Sequence, residues 1–141
     1  MKIASHLMKL LTSLVGMLLI NSAQAGIPLW AFIPLTDTAI SVQRNETTRI
    51  EYLVVNQSDK VHTLLMTPIM GITQIPSPGY CSTLFTLAPQ QFCTLSLLVV
   101  GSALGDTVEG GPVVCELGNP LQCYQPNVDD RLDVSIKKEK T

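Results

Sequence analysis

Four cysteines carry the clearest chemistry in this sequence. Cys81, Cys93, Cys115 and Cys123 all lie in the C-terminal half. An even cysteine count in a small exported domain reads as a disulfide framework. Three connectivities are open to four cysteines. The local one, Cys81–Cys93 with Cys115–Cys123, is favoured because each pair brackets a turn-rich stretch and short loops close easily. The competing use is a zinc site. No pair is spaced Cys-x2-Cys, and His62 is the only histidine beyond residue 25. Four-cysteine zinc sites usually show such tight knuckles, so no metal and no cofactor is expected.

Other titratable groups give weaker patterns. Ser58, Asp59 and His62 share one short stretch, but no Gly-x-Ser-x-Gly elbow accompanies them. Three residues on one turn rarely reach the geometry of a nucleophile, base and acid. His62 therefore reads as a surface turn histidine, and the chain as a non-enzyme. Asp129, Asp130 and Asp133 lack the spacing and the terminal glutamate of a calcium loop. Asp133 is expected to face solvent. Asn45-Glu46-Thr47 and Asn56-Gln57-Ser58 match the glycosylation sequon, yet asparagine and serine are also ordinary turn residues.

These groups must be positioned by strands. The 141 residues suit one domain. Residues 1–25 read as a cleavable export signal. Lys2 and Lys9 precede an apolar run, Leu10 to Ile20, and Ala23 and Ala25 fit an Ala-x-Ala cleavage site with Gly26 as the new N-terminus. The apolar run is short for a membrane span, so no stable span is expected after cleavage. Loss of Lys2 and Lys9 takes the formal charge from −2 to −4. An acidic domain with few aromatic residues is a poor nucleic-acid binder. The basic cluster Lys137, Lys138 and Lys140 reads as a solvated tail over 137–141.

Between the signal and the tail, residues 26–136 read as β-strands and turns. Ile50, Tyr52 and Val54 alternate with Glu51, Leu53 and Val55, which is a strand pattern. Asn56 to Asp59 supplies turn chemistry. Val61–Thr67, Ile72–Ile75 and Leu84–Leu87 are shorter candidates. Phe92–Val100 is a long strand following a turn at Ala88-Pro89-Gln90-Gln91. Gly101 to Gln125 is rich in glycine and proline and reads as loop, with a short strand at Val113-Val114. Leu132, Val134 and Ile136 form a final strand. No segment of useful length has helical periodicity. Short strands with frequent turns predict an all-β, antiparallel sandwich.

The segments Ile50–Ser58, IEYLVVNQS, and Phe85–Val100, FTLAPQQFCTLSLLVV, resemble bacterial immunoglobulin-like β-sandwich modules of the abnormal-spindle/hydin or pilus-chaperone type. The stretch Gly110–Tyr124, GGPVVCELGNPLQCY, is similar to small exported bacterial proteins. The resemblance implies an immunoglobulin-like fold and no active site.

The expected role is an exported, secreted or periplasmic, binding or structural module that engages a protein partner through loops or a sheet edge. A secreted effector or inhibitor and a pilus-type fibre subunit are the alternatives. The prolines near Gly26 and the charged C-terminus argue against the fibre subunit. No oligomeric state is implied. Tyr80 and Tyr124 each adjoin a cysteine and would flank a braced loop face together with Leu121. Trp30, with Phe32, would either extend that recognition surface or pack into the core.

Overall fold

A computed structural model describes residues 26–140. The export signal over 1–25, with the cleavage residue Ala25, lies outside the described residues, as does Thr141. The described chain is built almost entirely of strands. They are β1 (Trp30–Pro34), β2 (Ala39–Val42), β3 (Thr47–Asn56), β4 (His62–Met66), β5 (Ile72–Gln74) and β6 (Leu84–Leu87). β7 (Phe92–Val100), β8 (Val108–Glu109), β9 (Val114–Glu116), β10 (Asn119–Tyr124) and β11 (Asp133–Ile136) follow.

Two four-stranded antiparallel sheets form the body, ordered β1-β3-β7-β5 and β10-β9-β4-β6. Their inner faces share one apolar core. Ile50, Tyr52 and Val54 of β3 meet Leu95, Leu97 and Val99 of β7, and Leu64, Phe85, Leu87 and Val114 come from the other sheet. Each side chain of this kind contributes about 1.5–3 kcal/mol when fully buried. β3 alternates buried and part-exposed residues from Ile50 to Asn56, and β7 turns Leu95, Leu97 and Val99 to the same core, so their register is fixed by which face is apolar. The two segments that carry the immunoglobulin-like resemblance are thus neighbours in the centre of one sheet, with β6 at the edge of the other.

A third, small sheet has the order β2-β11-β8. Here β11 runs parallel to β2, pairing Ile136 with Val42, a departure from an all-antiparallel arrangement. Parallel pairing needs a long crossover, and β2 and β11 are separated by most of the chain. Asp133, at the start of β11, is exposed as expected.

The structure corrects two sequence expectations and decides Trp30 between its two alternatives, in favour of the core. The stretch from Gly101 to Gln125 is not loop but contains β8, β9 and β10. β8 and β9 are two and three residues long, too short for periodicity to show, and the six-residue β10 carries Pro120 and does not alternate. Trp30 is not on a recognition surface. It is fully buried, and its indole N–H donates to the Val114 carbonyl at 3.2 Å. His62 is not a surface turn residue but begins β4 and is buried.

Candidate functional site

The β9–β10 hairpin is the element that most needs a functional explanation. The inner end of β9 is anchored by Val114, which is fully buried and accepts the Trp30 hydrogen bond. Tyr124, at the end of β10, stands edge-on to the Trp30 ring, with centroids 4.8 Å apart. Cys115 and Cys123 face each other across the ladder and are disulfide-bonded, their Cα atoms 4.0 Å apart. Beyond the disulfide the chain turns at Leu117-Gly118, where Gly118 takes a φ of +78° that other residues rarely adopt. The Leu117 amide donates to the Thr63 carbonyl of β4 at 2.9 Å.

Regular pairing stops between Asn119 and Cys123. Pro120 has no N–H to offer a ladder, so β10 bulges there. The bulge turns Leu121 outward until it is 94% exposed, and Leu117 is 54% exposed beside the turn. The result is an apolar tip of Leu117, Pro120 and Leu121 on a hairpin held by a disulfide and by the Trp30–Tyr124 contact.

A polar network secures the root of this hairpin. His62 Nδ1 lies 2.8 Å from Glu116 Oε1 of β9, and His62 Nε2 lies 2.8 Å from Ser58 Oγ. The Trp30 ring packs against the imidazole at 5.4 Å between centroids. Serine, histidine and carboxylate in a row invite comparison with a hydrolase triad. The Ser58 hydroxyl, however, also lies 2.8 Å from Asn56 Oδ1, within 3.1 Å of the Lys60 carbonyl, and accepts from the Lys60 amide at 3.2 Å. That saturates its one proton and two lone pairs. Among the described residues, the five most prominent surface cavities are lined without Ser58, His62 or Glu116. The network ties the β3–β4 turn to β9 and positions the hairpin.

Asn56 completes this network. It is fully buried, donates from Nδ2 to the carbonyls of Lys60 and Leu87 at 2.7 and 2.9 Å, and accepts from the Ser58 amide at 2.9 Å. The second sequon is therefore a structural asparagine, whereas Asn45 sits on an exposed turn. Asp59 stays exposed and outside the network. The carboxylate that pairs with His62 is Glu116, 54 residues away. No local spacing signals that partner.

The remaining candidates fall elsewhere. Tyr80 bridges to Thr94 of β7 and, with Cys81, Phe85, Phe92 and Cys93, lines an open cavity of about 470 Å³ between β6 and β7. The Cys81–Cys93 disulfide braces that flank, with Cα atoms 5.1 Å apart. Tyr80 lies beside β6 and β7 and Tyr124 in β10, and β6 and β10 are opposite edges of one sheet, so the two tyrosines do not flank one loop. All four cysteines are in disulfides, in the local pairing, and so are not zinc ligands. Asp129 and Asp130 lie on a short 3₁₀ turn, and among the described residues no cluster of three or more metal-ligating side chains occurs. No described helix is long and apolar enough to cross a membrane. Comparison with protein-family models and with curated proteins gives no match.

Proposed function

We propose that this chain is an exported, non-enzymatic binding module with an immunoglobulin-like sandwich, and that it engages a protein partner through the tip of the β9–β10 hairpin. The observation that carries the reading is the almost complete exposure of Leu121 on a hairpin clamped by the Cys115–Cys123 disulfide. Single exposed leucines are ordinary. Here two leucines and a proline share one tip whose backbone is already ordered, so binding would lose little conformational entropy. Two disulfides suit an oxidising compartment, which agrees with export through residues 1–25. The partner surface is an apolar recess in a folded protein.

Photo-crosslinking tests this. A photoreactive side chain at position 121 should give one discrete protein adduct in the producing cells or their medium. The same group at position 60, on the nearby exposed turn, should not. Equal labelling from both positions, or no adduct from 121, contradicts the reading.

A further inference from the structure

We propose that the end of the sandwich away from the hairpin binds a phosphate group, in a cavity lined by Arg44, Lys137 and Lys138. β3 separates the two ends. Asn56 at one end joins the hairpin root, and Thr47 at the other adjoins the turn that carries Arg44. Ten residues of strand set them about 30 Å apart.

Nine lysines and arginines face eleven aspartates and glutamates in the whole sequence. Seven of those bases lie beyond residue 25, and four of the seven, Arg44, Lys137, Lys138 and Lys140, gather around two adjoining cavities of about 440 and 460 Å³. The chain is acidic, so this concentration of positive charge is local and not a reflection of bulk composition. Two carboxylates, Asp106 and Glu139, lie on the same lining. Asp106 is already engaged, accepting from the Thr107 amide at 2.8 Å. Among the described residues the ion pairs are Arg49–Glu51 and His62–Glu116, and neither includes a cation of this cluster.

Arg44 and Lys137 are held on ordered backbone, and Lys138 follows Lys137 directly. Lys137 continues the parallel β2–β11 ladder, its amide donating to the Val42 carbonyl at 2.8 Å. Arg44 lies in a turn closed by Glu46, whose amide donates to the Gln43 carbonyl at 3.1 Å and whose side chain accepts from the Gln43 amide at 3.1 Å. The Gly101 amide in turn donates to the Glu46 carbonyl at 2.9 Å. Four cations against two carboxylates leave an excess of positive charge around these concavities, which raises the local potential and attracts anions. A guanidinium fork beside two ammonium groups matches the oxygens of a phosphate, arginine by paired hydrogen bonds and lysine as a point charge.

The test is titration of the oxidised chain, at about 0.02 M salt where screening is weak, with two probes. One is inorganic phosphate, followed by amide chemical shifts. The other is vesicles of phosphatidic acid in phosphatidylcholine, followed by co-sedimentation. Saturable shifts at Arg44, Lys137 and Lys138 with inorganic phosphate support a site for a soluble phosphate. Sedimentation with the phosphatidic acid vesicles alone, not with pure phosphatidylcholine, supports a lipid headgroup phosphate. In either case Arg44→Ala and Lys138→Ala should weaken binding by about tenfold, as should raising the salt to about 0.5 M. Lys138→Arg and the distant Lys60→Ala should bind as the parent does. Binding of neither probe, or binding unaltered by Arg44→Ala and Lys138→Ala, overturns the proposal.

Discussion

Trp30 joins the two sheets through one residue. It fills core space from β1, donates to Val114 of β9 and packs against both His62 and Tyr124. Trp30→Ala removes all of this at once and should cost about 3–5 kcal/mol, measured by chemical denaturation. Asn56→Ala leaves the buried Leu87 carbonyl without its side-chain donor and frees the Ser58 turn, and should cost about 1–3 kcal/mol. Tyr52 gives a pH signature. Burial pushes its phenol well above the ordinary tyrosine value, the Asp130 charge adds in the same direction, and a hydrogen bond with Thr38 opposes them. Its hydroxyl donates to the Asp130 carbonyl at 2.7 Å. The folded state therefore favours the neutral phenol. That stability is complete below about pH 10 and falls as pH rises further, because the unfolded chain ionises first. Tyr52→Phe should flatten the decline measured in alkaline denaturation, while an unchanged slope would contradict this assignment.

At the scale of elements, the hairpin and the Arg44 turn depend on different devices. The Cys115–Cys123 disulfide closes a short loop of sequence separation 8. The chain-entropy model gives it about 2.5 kcal/mol. Replacing both cysteines by serine should lower stability by about that amount and weaken partner binding further, because the Leu121 bulge would lose its clamp. The Arg44 turn depends on Gly101, where an added Cβ would fall 2.0 Å from the Gln43 carbonyl oxygen. Gly101→Ala should therefore destabilise the fold by about 2 kcal/mol or more, since backbone must move to accommodate it. The strands differ in how plainly the sequence announces them. β3 and β7 are legible as long runs rich in β-branched, leucine and aromatic residues bounded by turn signals, and β11 because apolar and polar residues alternate along it. β8, β9 and β10 are hidden, because glycine and proline dominate their neighbourhood and long-range pairing sets their register. The cysteine spacing was the only local sign that Cys115 and Cys123 face each other.

For the whole molecule, the all-β class and both disulfides were legible from turn signals and cysteine spacing. The assembly of the candidate site was not. The His62–Glu116 pair and the packing of Trp30 on Tyr124 join residues far apart in sequence, and periodicity carries no such information. The apolar hairpin tip and the cationic cavity lie at opposite ends of β3, so one chain could hold a protein partner at one end and a phosphate-bearing ligand at the other. The proposed export leads to a further expectation. Non-reducing intact mass of the protein outside the cytoplasm should equal residues 26–141 less four hydrogens, since two disulfides have formed. Retention of residues 1–25 would contradict cleavage after Ala25. The most direct test of the binding role compares the position-121 crosslinked partner, purified, against the parent chain and against Leu117→Asp/Leu121→Asp. These exposed substitutions should leave the melting temperature nearly unchanged and weaken binding by about a hundredfold, as expected for loss of a central apolar contact. Equal affinity in the folded variant would show that the hairpin tip is not the binding surface.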